Sequence, residues 1–317
     1  MLKEIVVGID IGGTNVVAGF VTIEGKILQT IHHPVKQFET PELLANTFSE
    51  EIIFVCKKNN WVLKGIGIGA PNGNYFNGTI EFAPNLPWRG IIPLAQLFAT
   101  KCNTTAILTN DANAAAIGEM IFGAAKGMKD FLMITLGTGL GSGIVANGEL
   151  IYGHDGFAGE VGHTIAVKNG RACGCGRKGC LETYASATGI AKTVVQWLNE
   201  GQESVLKNIP AEKINSYKIY EAALQQDKLA LKAFRFTAEI LGESLANAVA
   251  YTSPQAIILF GGLANAGEFL VQQIQFFMEE NLLQIYKGKV KIMLSQLPES
   301  DAAILGAASL IWKKFKN

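Results

Sequence analysis

The sequence predicts an α/β protein built of two lobes. Its 317 residues are many for a single hydrophobic core. Two glycine-rich turns of similar design, each following an apolar strand, lie about half the chain apart. Helical patterns fill the intervals between the apolar segments. One strand–turn–strand unit present in each half therefore favours two lobes that share a ligand.

The first glycine-rich turn follows the apolar strand Ile5–Asp10, and Val16–Val21 returns as the second strand of a hairpin. The turn contains Gly12, Gly13, Thr14 and Asn15. Asp10 closes the first strand, where its carboxylate is placed to hold Mg²⁺ directly or through water. The alternative for Asp10 is a strand-end acid that only forms hydrogen bonds.

The second hairpin follows the strand Phe131–Leu136. Its turn begins with Gly137, Thr138 and Gly139. Glycine lets backbone N–H groups surround an anion, and threonine hydroxyls add donors. Each turn by itself is equally compatible with a hairpin that binds nothing, whereas the pair indicates a polyphosphate site. Neither turn has the Walker A pattern, and neither has the dinucleotide fingerprint, which lies between a strand and a helix.

A third feature is the pair Asn110 and Asp111, which joins an apolar strand to an alanine-rich helix. Asn and Asp are favoured helix N-caps, worth about 1 kcal/mol. The functional alternative places Asp111 at the carboxyl end of a strand, where α/β sheets bind ligands. There it could accept a proton from a substrate hydroxyl that attacks phosphorus, while Asn110 binds a neighbouring hydroxyl. The local sequence is compatible with both roles.

A fourth feature is a candidate metal site with one histidine and three cysteines. The ligands would be His163, Cys173, Cys175 and Cys180, a Cys3His zinc set. Cys173 and Cys175 are too close in sequence for an ordinary disulfide, and three clustered cysteines would leave one odd thiol. Redox-active or merely buried thiols are the alternative. Four protein ligands close the site, so we expect a structural zinc.

Several polar or glycine-rich positions flank these motifs. Glu160 and Glu182 lie just outside the metal ligands and could present carboxylates to a polar substrate. Asn85 lies in the irregular loop Pro84–Trp88. Gly261 and Gly262 end a buried strand and suit the approach of a flat ring such as adenine. The alternative for both segments is an ordinary turn or loop without a binding role.

Composition excludes several classes of partner. Lys and Arg together number 27, as do Asp and Glu, so no basic field predicts nucleic acid or an anionic membrane as a partner. The start of the chain is too short and too charged for a signal peptide, and no apolar run approaches the roughly 18 residues of a membrane span. We therefore expect a cytoplasmic protein with reduced cysteines, which favours metal over disulfide.

Four segments together resemble the ROK family of sugar kinases and repressors: Asp10–Asn15, Asn110–Ala114, Leu136–Gly141 and Glu160–Glu182. They occur in the expected order and span essentially the whole chain, and the His/Cys spacing is the most specific of them. The resemblance implies an actin-like, hexokinase-type (ribonuclease H-like) two-lobed α/β ATPase fold with a cleft between the lobes. It places residues 1–118 and a C-terminal helix, 301–317, in the first lobe. Residues 119–300, with the zinc loop, form the larger lobe.

The resemblance also implies roles for the residues. Asp111 would be the general base that deprotonates the 6-hydroxyl of a sugar for attack on the γ-phosphate of ATP. The hydroxyl-binding set would be Asn85, Asn110, Glu160, His163 and Glu182. His163 would bind sugar with one nitrogen and zinc with the other. ATP and Mg²⁺ would lie at the glycine turns.

Within the family, the sequence favours a kinase over a DNA-binding repressor. The repressors carry a helix-turn-helix segment before the first glycine turn, whereas this chain reaches its first strand by Ile5. A zinc-stabilised sugar-binding protein without catalysis would require the loss of Asp111 or of the glycine turns, and both are present. The Pro84–Trp88 loop looks most like the glucokinase branch, so we expect glucose as the substrate. An N-acetylmannosamine or N-acetylglucosamine kinase is the alternative, and the resemblance implies a homodimer.

Overall fold

The structure is a computed structural model that describes residues 2–315, apart from the side chains of residues 299 and 300. The chain divides into two compact units. The first comprises Met1–Gly127, Leu150–Ala158 and Gln296–Asn317, and the second comprises Met128–Glu149 and Gly159–Ser295. Each unit has its own hydrophobic core.

Strands and helices are interspersed along the described residues. The strands are β1 (Lys3–Ile11), β2 (Asn15–Val21), β3 (Ile27–Pro34), β4 (Trp61–Ala70), β5 (Gly73–Asn74), β6 (Thr79–Glu81), β7 (Ile91–Ile92), β8 (Ala106–Asn110), β9 (Phe131–Leu136), β10 (Leu140–Ala146), β11 (Glu149–Leu150), β12 (Ala256–Phe260) and β13 (Lys291–Leu294). The helices are α1 (Pro41–Asn59), α2 (Leu94–Cys102), α3 (Asp111–Phe122), α4 (Ala187–Asn199), α5 (Ser216–Leu224), α6 (Lys228–Thr252), α7 (Glu268–Asn281) and α8 (Glu299–Trp312).

The main sheet of the first unit has the order β3-β2-β1-β4-β8. β1 and β2 form the predicted antiparallel hairpin, and β1, β4 and β8 run parallel. The register aligns Asp10 of β1 with Gly69 of β4, and Gly69 with Thr109 of β8. Because parallel strands end at the same edge, Asp10 and Asn110 lie at one edge of the sheet.

The main sheet of the second unit has the order β11-β10-β9-β12-β13, in which β9 and β10 form the other predicted hairpin. β12 and β13 continue this sheet in parallel with β9. The hairpin followed by parallel strands therefore repeats the arrangement of the first unit. The duplication predicted from the two glycine turns is confirmed at the level of sheet topology.

The C-terminal helix α8 packs directly on the first sheet. A Cβ atom at Gly8 or Gly67 would collide with the carbonyl oxygen of Ile304 or Ala307, respectively. Glycine in β1 and β4 thus lets the helix backbone approach the strands. This approach covers the face of the sheet that carries Asp10 at its edge.

The unit boundaries differ in detail from the sequence-based lobes. A boundary between residues 118 and 119 would fall inside α3, whereas the units change after Gly127. Leu150–Ala158 belongs to the first unit, because the buried Asn74 donates from its side-chain nitrogen to the carbonyl oxygen of Asp155 at 2.8 Å. Of the expected C-terminal segment 301–317, residues 316 and 317 lie outside the described residues. None of the described helices combines the length and apolarity that a bilayer span requires.

Candidate active site and metal centre

Asp111 is the first residue of α3 and directly follows the carboxyl end of β8. The N-cap of this helix is Asn110, whose Oδ1 accepts a hydrogen bond from the N–H of Ala112 at 2.8 Å. Oδ1 of Asp111 accepts from the same N–H at 2.8 Å, and the Asp111 side chain remains accessible to solvent. The capping role therefore belongs to Asn110, and Asp111 presents a reachable carboxylate.

Asp10 and Asp111 form a pair of interacting carboxyl groups in the first unit. Burial, and then the charge of Asp111, raise the pKa of Asp10 to about 7. Desolvation also raises the pKa of Asp111, opposed by its hydrogen bond from the N–H of Ala112. Protein atoms surround Asp111 closely, and the resulting desolvation raises its pKa. Part of the residue is nevertheless exposed, so another molecule can reach it. Two repelling carboxylates suit Mg²⁺, which prefers oxygen ligands.

The first glycine turn lies against the loop that carries Asn85. The N–H of Gly12 donates to the carbonyl oxygen of Asn15 at 2.9 Å, which closes the turn. A Cβ atom at Gly13 would lie 3.0 Å from the carbonyl oxygen of Asn85. Thr14 and Asn15 are exposed. The first unit thus brings a predicted phosphate-binding residue next to a predicted sugar-binding residue.

Arg89 holds the Asn85 loop in shape, a role that the sequence reasoning missed. Its Nη1 donates to the carbonyl oxygens of Ala83 and Leu86, both at 3.1 Å. The neighbouring Trp88 is buried and donates from Nε1 to the carbonyl oxygen of Phe38 at 3.0 Å. Two prolines within five loop residues remove backbone donors. The sequence signal that could have identified Arg89 is this small number of backbone N–H groups, because the loop carbonyl oxygens then need a side-chain donor.

The second glycine turn is tied to the start of α4. The N–H of Ala187 donates to the carbonyl oxygen of Gly137 at 2.9 Å, and the hydroxyl of Thr188 donates to the carbonyl oxygen of Thr138 at 2.6 Å. Ser186 caps the helix by accepting from the N–H of Gly189. A helix N-terminus carries partial positive charge and favours anions. The predicted phosphate turn therefore has a helix start beside it, which the sequence reasoning did not include.

Gly261 and Gly262 lie beside the same turn, because β9 and β12 are parallel neighbours. Gly261 has φ +100°, and a Cβ atom there would lie 2.9 Å from the Leu136 backbone. Nothing lies within 4 Å of the Cβ position of Gly262. The open face beside Gly262 agrees with the expected approach of a flat ring.

A cavity of about 870 Å³ opens in the second unit beside Thr138. One wall is α4, and the opposite wall is formed by residues 211–216. Polar side chains on these walls include Thr188, Lys192, Gln196 and Glu212. Its volume is within the range of pockets that hold drug-sized ligands. No local motif in the sequence marks this cavity, since Thr138 is about fifty residues from the nearest part of either wall.

The predicted metal ligands come together in the second unit. The ligand atoms of His163, Cys173, Cys175 and Cys180 all lie within 4.8 Å of one another. Nδ1 of His163 is 3.7 Å from Sγ of Cys173, and Sγ of Cys175 is 3.6 Å from Sγ of Cys180. A tetrahedral zinc with bonds of about 2.0–2.3 Å separates its ligand atoms by roughly 3.5–3.8 Å. Both the donor set and its spacing fit zinc.

Arg177 favours a thiolate within this cluster. Desolvation acts to raise the pKa of Cys175, but the hydrogen bonds from the backbone and side chain of Arg177, together with those from Cys173 and Cys180, outweigh it and lower the pKa to about 6. Burial raises the pKa of Cys173 and Cys180. Because the thiolate is the metal-binding form, the lowered pKa favours Cys175 as a metal ligand.

Glu182 connects the metal cluster with the second glycine turn. Its Oε1 accepts from the Cys173 thiol at 2.9 Å and lies 3.6 Å from Nδ1 of His163. A Cβ atom at Gly139 would lie 2.6 Å from Oε2 of Glu182. Glu160 precedes the helical turn Val161–His163, and its carbonyl oxygen accepts from the N–H of His163. The three predicted sugar-binding residues of this unit thus share one surface region.

Comparison with known proteins agrees with this arrangement. The model of the ROK family matches residues 6–314. The glucokinase of Thermotoga maritima is 33% identical over 314 residues, which cover 98% of each chain. The xylose repressor of Bacillus spizizenii is 30% identical, covering 98% of this chain and 77% of the repressor. A ROK family glucokinase from Streptomyces griseus, solved with glucose and AMPPNP, superimposes with TM-score 0.79 and 34% identity, covering 96% and 98% of the two chains. The similarities confirm the predicted actin-like, hexokinase-type fold.

Proposed function

The chain belongs to the ROK family, and on that premise we propose that it is an ATP-dependent sugar kinase that converts glucose to glucose 6-phosphate. The single observation that carries the proposal is Asp111, an accessible carboxylate with a raised pKa at the start of α3. The glucokinases are 33–35% identical to this chain, whereas the xylose repressors are 28–30% identical. This difference favours the kinase over the regulator.

In the proposed reaction, Asp111 accepts the proton of the sugar 6-hydroxyl. The hydroxyl oxygen forms a bond to the γ-phosphorus of ATP while the bond between that phosphorus and the β–γ bridging oxygen breaks, which releases ADP. A carboxyl group with a raised pKa is a stronger base than an ordinary aspartate, so the proton transfer is easier near neutral pH. Asn110, the adjacent N-cap, would bind a neighbouring hydroxyl.

Recognition of the other hydroxyls is assigned to Asn85, Glu160, His163 and Glu182. Nδ1 of His163 faces the cysteines, so the neutral ring carries its hydrogen on Nε2 when Nδ1 binds metal. Nε2 would then donate to a sugar hydroxyl, and the two carboxylates would accept from others. A site in which each polar side chain pairs with a sugar hydroxyl binds sugars poorly when one of those hydroxyls is missing or inverted, because a polar group of the site is then left unpaired.

Nucleotide binding is assigned to the two glycine turns and the cavity of the second unit. The β- and γ-phosphates would lie at Gly12–Asn15 and at Gly137–Gly139 beside the start of α4, whose partial positive charge favours phosphate. The nucleoside would occupy the cavity beside Thr138, with Gly261 and Gly262 at its rim. Asp10 would hold Mg²⁺, whose charge offsets that of the phosphates.

We assign a structural zinc to His163, Cys173, Cys175 and Cys180, which fixes the loop that carries Glu182. Reduced thiols of this kind belong to the cytoplasm, where we place the enzyme. A homodimer is proposed on family resemblance. Size-exclusion chromatography with light scattering tests it, and a mass near the 34.0 kDa of one chain would contradict it.

The proposed function is tested by a coupled ADP-release assay with ATP, Mg²⁺ and a panel of hexoses and N-acetylhexosamines. We expect turnover with glucose as the best substrate. Preference for N-acetylmannosamine or N-acetylglucosamine would replace the substrate but keep the enzyme class. No turnover on any sugar by folded, zinc-loaded protein would refute the kinase assignment.

A further inference from the structure

Arg171, two residues before Cys173, has an unusually complete set of partners. Its Nη1 donates to the carbonyl oxygen of Thr183 and to the hydroxyl of Thr193, both at 2.9 Å, and to the carbonyl oxygen of Gly189 at 3.3 Å. Its Nη2 donates to Oε1 of Gln196 at 3.2 Å. All four acceptors are neutral oxygens, so the guanidinium acts through directed hydrogen bonds.

Tyr184 holds Arg171 from two sides. The guanidinium lies 4.5 Å from the centre of the Tyr184 ring, a cation–π distance. The Tyr184 hydroxyl accepts from the backbone N–H of Arg171 at 2.8 Å. Both the side chain and the backbone of Arg171 are therefore fixed. A residue that positions other residues must itself be held in this way.

The partners of Arg171 belong to two different parts of the proposed site. Thr183 directly follows Glu182, the carboxylate beside the metal cluster. The other acceptors, Gly189, Thr193 and Gln196, lie on α4, and Gln196 lines the cavity. The first turn of α4 also holds the carbonyl oxygens of the phosphate hairpin. One guanidinium thus joins the backbone next to Glu182 to the helix that supports the nucleotide region.

We propose that Arg171 is a positioning residue that fixes the sugar-binding carboxylate of Glu182 relative to α4, so that sugar and nucleotide are bound by one rigid substructure. The inference rests on the proposed function for the identity of the two ligands. Arg171 is not among the residues assigned to either ligand, does not line the cavity and is not one of the four candidate metal ligands. A lysine could replace one of its hydrogen bonds, but a single ammonium group cannot reach both Thr183 and Gln196 in the geometry of the guanidinium fork.

The experiment compares Arg171→Ala, Arg171→Lys and Gln196→Ala with the wild-type enzyme, all purified with their metal. KM values for glucose and ATP and kcat come from the coupled assay, zinc content from elemental analysis, and Tm from thermal melting. For Arg171→Ala we expect KM for glucose and KM for ATP each to rise about tenfold, as the loss of hydrogen bonds from a charged group predicts. Zinc should remain at one per chain, because the four ligands are intact.

The other two variants separate positioning from mere support of the fold. Arg171→Lys should restore Tm to near the wild-type value while KM for glucose and ATP stays raised. Gln196→Ala should raise KM for ATP without changing KM for glucose, since Gln196 lines the cavity and the bonds of Arg171 to Thr183, Gly189 and Thr193 remain. Unchanged KM values in Arg171→Ala would overturn the proposal, as would full kinetic rescue by lysine. Loss of zinc from folded Arg171→Lys would also overturn it, since Arg171 would then serve the metal loop alone.

Failure of the proposed function would be visible separately in the wild-type arm, as absence of turnover on every sugar tested. Amide hydrogen exchange without ligands then tests the bridge directly. We expect Arg171→Ala to increase exchange both in residues 181–184 and in the first two turns of α4, with Gln196→Ala affecting α4 alone. Increased exchange confined to residues 171–180 would overturn the proposal.

Discussion

Gly139 of the second glycine turn lies against the carboxylate of Glu182, such that a Cβ atom on Gly139 would be 2.6 Å from Oε2. A contact that short is not tolerated, so the carboxylate or the turn would have to move. Gly137, two residues earlier in the same turn, has nothing within 4 Å of its Cβ position. Gly139, which is assigned to phosphate binding, thus also limits where the carboxylate of Glu182, assigned to sugar binding, can lie.

The two glycines give a matched pair of variants. Gly139→Ala is expected to raise KM for glucose as well as KM for ATP, because the added methyl group displaces Glu182. Gly137→Ala is expected to leave KM for glucose unchanged and to affect ATP alone. Steady-state kinetics with each substrate varied in turn provides the check. Equal effects of the two substitutions on KM for glucose would contradict the contact.

Replacement of Asp111 by asparagine should remove the base while keeping the fold. We expect kcat to fall by roughly 10²–10⁴-fold, the usual contribution of general base catalysis. The asparagine side chain still accepts from the N–H of Ala112, and Asn110 still caps α3, so Tm should not fall. The coupled assay and thermal melting measure the two effects. Retention of more than a few per cent of wild-type kcat would remove Asp111 from the catalytic role.

The raised pKa of Asp10 predicts a pH-dependent stability. Its pKa is about 7 in the folded protein against 3.8 for an ordinary aspartate, so between these values the native state holds a proton that the unfolded state has lost. Stability from this group is therefore greatest at low pH and declines as pH rises toward 7. Asp10→Asn should gain Tm relative to wild type as pH increases from 5 to 8, in buffer without added Mg²⁺. A Tm difference independent of pH would show that Asp10 is not desolvated.

Loss of zinc and loss of sugar binding should occur together. Cys175→Ser removes a ligand from the Cys3His set, and we expect zinc content to fall well below one per chain and glucose affinity to fall with it. Cys102→Ser is the matched control, since Cys102 lies in the first unit, outside the cluster, and should keep both properties. Elemental analysis and calorimetric titration with glucose give the readouts. Wild-type glucose affinity in zinc-free Cys175→Ser would separate the metal from recognition.

Features that depend on a few consecutive residues were predicted correctly. The hairpins β1–β2 and β9–β10 and the strand-to-helix junction at Asn110 follow from alternating patterns and turn glycines that act locally. The metal cluster was also predictable, because His163 and three cysteines occur within a short segment whose coordination chemistry is specific. The sequence left open whether Asn110 and Asp111 cap the helix or have a functional role, and the hydrogen bonds assign the N-cap to Asn110.

What the sequence by itself determined is the duplicated hairpin, the grouping of His163 with three cysteines and, through its motifs, the family. Only the tertiary structure decided which side chains hold those motifs in place: Arg89 on the loop carbonyls around Asn85, and Arg171 between Thr183 and α4. The reason is that the role of each arginine depends on which oxygen atoms its guanidinium can reach. The positions of those oxygens are set by the path of the backbone and cannot be read from the neighbouring residue types. The same holds for Gly8 and Gly67, whose need for glycine arises from a helix that begins more than two hundred residues later.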